Sequence, residues 1–159
     1  NGAIYPEWLT ISAIKDPWGH TRCYLGVFRD ITTPKLNEER MTQLAHGLAA
    51  FYRDLGAEME RTTVVVMTEF GRRVLENSAF GTDHGRGSVM FVLGGGVKGG
   101  RVLGPWPGLK DEVLEGPGDL PVTTNYRNVL APVLQRHGAG AALARVFPEF
   151  ELKPLALYA

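Results

Sequence analysis

Residues 62–67 read TTVVVM, a continuous run of mostly β-branched side chains, and this run constrains the fold more than any other segment. It is too short to cross a membrane and lacks the polar alternation of a half-exposed strand. It therefore predicts a strand covered on both faces. Residues 88–93 (SVMFVL) read the same way. Before the first run, Leu44, Leu48, Phe51, Leu55 and Met59 recur at helical spacing, with Thr33 as N-cap and Pro34 in the first turn. The helix is expected to reach about residue 60, although Gly47 and Gly56 each weaken it by about 1 kcal/mol relative to alanine and Gly56 is placed to end it sooner. These two strands with the long helix before them predict an α/β layer and not an all-β domain. A parallel order of the strands is the working assumption.

At the start of the chain, residues 3–11 and 21–28 are aromatic and β-branched, and the Asp, Pro and Gly between them predict a reversing connection and hence a hairpin. Such a ribbon is marginal alone and needs further strands or a helix against it. Later, residues 101–121 are dense in Pro and Gly, which predicts an extended surface excursion that packs the Trp106 ring. Thr124 is the expected cap of a helix carrying Tyr126, Leu130, Val133 and Leu134, with Gly138 as terminator. Pro132 falls inside that helix and costs about 3 kcal/mol unless a kink absorbs it. A short helix over 141–146 and an apolar tail follow.

The 159 residues suffice for one ordinary domain, and 17 basic residues balance 17 acidic ones. That balance implies no broad attraction to nucleic acid or to an anionic membrane. No run is long enough for a membrane span, and the opening residues do not read as a signal peptide. The single cysteine, Cys23, excludes an internal disulfide framework and reads as an inert buried thiol.

The chemistry concentrates at GTDHG, residues 81–85. Asp83 and His84 offer an oxygen and a nitrogen to a divalent ion, and Gly81 and Gly85 let the backbone turn to aim them. Glu69 stands just past the buried strand, where strand ends commonly present functional groups. Arg72 and Arg73 add an anion contact. The blander account stays open: Asp83 caps a turn, His84 makes an ordinary hydrogen bond and Glu69 pairs with an arginine. The glycines of residues 94–100 match neither a dinucleotide fingerprint nor a P-loop and predict a tight connection. His20, His46 and His137 are scattered and read as surface residues. No Gly-x-Ser-x-Gly elbow surrounds Ser78 or Ser88.

The segments FYRDLG, VVVMTEFGRR, GTDHGRGSVMFVLGGGVKGGRV, WPGL, LPVTTNYRNVL and RVFPEF, spread over about residues 44–150, resemble the C-terminal part of the DUF1501 family, which has an alkaline-phosphatase/sulfatase-like fold. The first 32 residues instead resemble the last two strands of a PAS sensor domain, with Trp8 and Phe28 at its aromatic positions. Together these resemblances imply an α/β fold in which residues 34–159 form an incomplete phosphatase-like layer and residues 1–33 a PAS-like hairpin, a chimeric or truncated arrangement. The first implies that Glu69, Asp83 and His84 face a site for Zn, Mg or Ca ions serving phosphate or sulfate esters, in a family whose members are typically exported. It also implies that the nucleophile and further metal ligands belong to an earlier part of that fold. The resulting expectation is a protein without full catalytic machinery, self-associating and weakly metal-binding, whose site a homo-oligomer or a complementing chain completes. A metal-dependent ester hydrolase is the second reading. A PAS-like binding or dimerisation module, with a pocket bounded by Ile4, Trp8, Leu25 and Phe28, is the third.

Overall fold

The structure, a computed structural model, describes residues 10–15, 21–27, 34–79 and 81–158, with side chains from residue 38 onward. The expected reversing connection at 16–20, the Thr33 cap, His20, and the Cys23 and PAS-pocket side chains lie outside the described residues.

The apolar run forms β3 (Thr63–Met67), which lies inside a four-stranded sheet made with β1 (Thr10–Lys15), β2 (Thr21–Val27) and β6 (Phe91–Gly94) in the order β1, β2, β3, β6. The strand β1 pairs antiparallel with β2, as a hairpin requires, and of the expected first strand over 3–11 only residues from Thr10 onward lie among the described residues. The strand β2 runs parallel to β3, with α1 (Pro34–Leu55) between them in sequence. Against the assumed parallel order, β6 is antiparallel to β3, with Val65 opposite Val92. The result is a mixed α/β fold.

Successive side chains of a strand point to opposite faces, and β3 uses both. Val64 and Val66 join Met59 and the Leu48, Phe51 and Leu55 face of α1 in one core cluster. Val65 joins Val129, Val133 and Leu157 in a second. Helix α1 thus covers one face of the sheet, while α2 (Tyr126–Leu134) and the C-terminal tail cover the other. The helical stripe stops where Gly56 takes φ +49°, a left-handed conformation that ends α1, and a 3-10 turn over Gly56–Arg61 leads into β3.

The apolar stretch does not continue as one strand past Met67. A bend at Thr68–Phe70 sends the chain into β4 (Gly71–Glu76), which pairs antiparallel with β5 (Thr82–Gly85) in a separate two-stranded sheet. The excursion that follows is pinned by its backbone and not by its aromatic residue. Trp106 is 69% exposed, so the expected packing of its ring is absent.

Pro132 sits inside α2 without ending it. Lacking an N–H, it leaves the carbonyl of Asn128 without its helical donor. The tail supplies the replacement: Leu155 N donates to Asn128 O at 3.0 Å, and Lys153 N donates to Asn128 Oδ1 at 2.8 Å. A cost inside the helix thereby becomes an anchor for the tail. The helix begins with Asn125 as N-cap, one residue beyond the expected Thr124, and the Asn125 side chain accepts from Arg127 N. A π-turn over Gln135–Ala139 contains Gly138 at φ +84°, the expected stop. A 3-10 turn and the short α3 (Leu143–Val146) follow.

Thr63 is 1% exposed, and its hydroxyl lies 3.0 Å from both Tyr158 Oη and His137 Nε2. His137 is therefore a half-buried partner of the sheet and not a surface residue. Two outcomes test this packing. Leu157→Ala, which empties a 5% exposed site, should cost about 2–4 kcal/mol in urea unfolding, as a core truncation and not as a change in a loose tail. Burial pushes the Tyr158 phenol above its ordinary value of 10.0, against the opposing pull of Thr63 and Arg136. The folded state therefore favours the neutral phenol. This contribution is intact below the ordinary value and is lost as pH rises through the folded one. Unfolding midpoints should fall more steeply above roughly pH 10 in the unmutated protein than in Tyr158→Phe.

Candidate functional site

The hairpin of β4 and β5 carries GTDHG, and its close approaches depend on glycine. A Cβ at Gly85 would lie 2.6 Å from the carbonyl carbon of Arg72, inside any allowed contact. The loop over 115–120 runs along the other side of β4. Val74 N donates to Gly118 O at 3.0 Å, Gly87 N to Leu120 O at 2.7 Å, and Arg73 bridges Asp119 through the backbone. Arg86 and Glu115 pair across the same seam.

Within this frame the two adjacent candidate ligands have different neighbours, as strand alternation requires. Asp83 accepts from Arg73 Nη1 at 3.2 Å and from Asn77 Nδ2 at 2.9 Å, each donor on a different carboxylate oxygen. Asn77 is itself held, its side-chain oxygen accepting from Ala79 N and Gly81 N at 3.0 and 3.1 Å. His84 is the cross-strand partner of Arg72, and its ring stacks on Phe70 with centroids 3.9 Å apart. Arg72 lies 5.5 Å from the same Phe70 ring and donates through Nη1 to Thr82 O at 2.9 Å. Arg72, Arg73, Asn77, Thr82, Asp83 and His84 line one open cleft of about 460 Å³.

Glu69 is exposed at the bend before β4 and does not line this cleft. Among the described residues no three His, Cys, Asp or Glu groups converge as a metal-binding cluster. Glu69, Asp83 and His84 are therefore not brought together as one cluster, and both oxygens of Asp83 accept hydrogen bonds. Any ion held here would need further donors and would compete with Arg73 and Asn77.

Sequence reasoning singled out Arg72 and Arg73 as anion contacts but did not separate them. Arg73 also reaches Asp119, with Nε 3.3 Å from Oδ1, so it spans two carboxylates from different segments. Nothing in the local sequence pairs Arg73 with a residue in the Pro- and Gly-rich excursion. The glycines after β6 form the tight connection expected of them. Gly95 N donates to Met59 O at 2.9 Å, and Lys98 N donates to Leu157 O at 2.8 Å.

Among the described residues no helix is long and apolar enough to cross a membrane. A family model described as "Protein of unknown function (DUF1501)" matches residues 32–140, more than half of the chain. The match begins at residue 32 and leaves out the hairpin of β1 and β2, whose likeness to a PAS module the comparisons do not support. No curated protein and no solved structure matches the chain.

The close approach at Gly85 yields a direct test of the hairpin geometry. Gly85→Ala should force the two strands apart and cost about 1–3 kcal/mol in denaturant unfolding. Gly99→Ala, where an added Cβ meets nothing within 4 Å, is the control expected to change little.

Proposed function

The chain belongs to the DUF1501 family, and from that premise we propose that its β4–β5 hairpin forms the oxyanion-receiving wall of a site for phosphate or sulfate esters. On this reading the chain itself lacks a full catalytic set. The observation that carries it is the cross-strand pair of Arg72 and His84, both set against Phe70 in one cleft. A guanidinium presents a planar fork of N–H donors that matches phosphate and sulfate oxygens. The hydrogen bond from Arg72 to Thr82 O and the ring of Phe70 restrict where that fork points. The ester resemblance supports the same ligand class.

The cleft also brings a carboxylate and an imidazole beside the two guanidinium groups, which favours a second reading. Here Asp83 and His84, with further donors from a partner chain, hold a Zn, Mg or Ca ion for ester hydrolysis. With Asp83 already hydrogen-bonded, the ion contact made by this chain alone is weak. Loss of metal uptake in His84→Ala, measured by calorimetry, would support it, and no uptake by the unmutated chain would remove it.

The oxyanion reading is tested separately by titrating inorganic phosphate and sulfate into metal-free protein and following amide shifts by NMR. Saturable shifts centred on β4 and β5 are expected. Arg72→Gln should weaken binding by about threefold to tenfold, the scale of one charge-assisted hydrogen bond in a partly exposed site. Equal binding by the variant, or no saturable shift in the unmutated protein, would remove the reading.

A further inference from the structure

We propose that this cleft receives singly charged esters, a sulfate monoester or a phosphate diester, in preference to a doubly charged phosphate monoester, and that Asp119 helps to set that preference from outside the cleft. The proposal rests on the oxyanion reading above and narrows its ligand class.

The preference follows from the fixed charges that surround the ligand. Arg72, Arg73 and Asp83 line the cleft, and the Arg73 guanidinium is held by two anions at once, with Nη1 3.2 Å from Asp83 and Nε 3.3 Å from Asp119. Asp119 stands on the loop over 115–120 and is not part of the lining. Two guanidinium groups are thus set against two carboxylates, and the described lining adds no third guanidinium or ammonium group. Across the seam Arg86 is matched by Glu115, while Glu69 before β4 and Glu76 at its end contribute exposed negative charge. The fixed charges therefore sum to zero or below.

A first charge on the ligand is answered by the Arg72 fork through charge-assisted hydrogen bonds. A second charge finds no net positive field left to meet it, yet it has to give up a much larger share of its hydration on entering the cleft. The singly charged ester is favoured for that reason. Asp119 acts at a distance because its side chain is 15% exposed, so water screens its charge less than that of Asp83, which is 53% exposed. The backbone seam of Val74 with Gly118 and Gly87 with Leu120 fixes the loop, and with it the position of this charge.

Three small probes decide the matter, each titrated into the metal-free full chain at about pH 8.5 and followed through the amide shifts of β4 and β5. Methyl sulfate and dimethyl phosphate carry one charge each, and methyl phosphate carries about two at that pH. The better of the two singly charged probes should bind about threefold to tenfold more tightly than methyl phosphate, and its identity separates a sulfate ester from a phosphate diester as the ligand. In Asp119→Asn that preference should shrink about threefold, the scale of one unit charge felt through partly exposed surroundings. A merely structural loss would weaken all three probes together and leave their ratio unchanged. Methyl phosphate binding as tightly as the others or more so overturns the proposal and leaves the oxyanion reading standing, whereas no saturable shift with any probe removes both. An unchanged ratio in Asp119→Asn also overturns the proposal. If that variant fails to fold, Asp83→Asn removes a negative charge from the same balance and takes its place, with an unchanged ratio again the overturning result.

Discussion

The burial of β3 on both faces is the constraint on which the rest of the structure depends. Val64 and Val66 require a cover on one side and Val65 on the other. A single strand cannot satisfy both with one helix. The chain meets the requirement by placing α1 before the strand and returning α2 and the tail after it. Each valine buried in this way removes apolar surface from water at about 25 cal/mol per Å². The polar member of the same strand, Thr63, is accommodated by hydrogen-bonding to Tyr158 and His137, as a buried hydroxyl demands.

The second cover is held by a compensation that begins with proline. Pro132 denies Asn128 its helical donor, and the tail backbone supplies another. The exchange brings Leu155 and Leu157 onto the sheet and, beyond them, Tyr158 to Thr63. Lys98 completes the connection from the turn after β6. The tail is therefore part of the core, and a residue that argues against a helix in isolation becomes the reason that two distant segments meet.

The candidate site stands outside this core on its own two-stranded sheet, and it is governed by different physics. Here exposure is substantial, charges are paired in solvent-rich surroundings, and alternation along β5 gives Asp83 and His84 different partners. The buried strand, the long helix, the helix stop at Gly138 and the tight glycine connection were legible because each depends on local periodicity or backbone conformation. The antiparallel order of β6, the exposure of Trp106 and the burial of His137 were not, because each depends on which segment arrives at a surface from far along the chain. The DUF1501 match over residues 32–140 agrees with the family likeness read from the motifs, while the likeness of the N-terminal hairpin to a sensor module finds no counterpart in the comparisons.

By itself the sequence determined that a short β-branched strand would be covered on both faces and that a helix beginning at Pro34 would supply one cover. Those outcomes follow from side-chain shape and spacing, which act over a few residues. Only the tertiary structure decided that Asp83 would face a guanidinium, and that the same guanidinium would reach Asp119 across a loop. The reason is that ion pairing is set by distance in space, and Arg73 and Asp119 stand 46 positions apart in the chain.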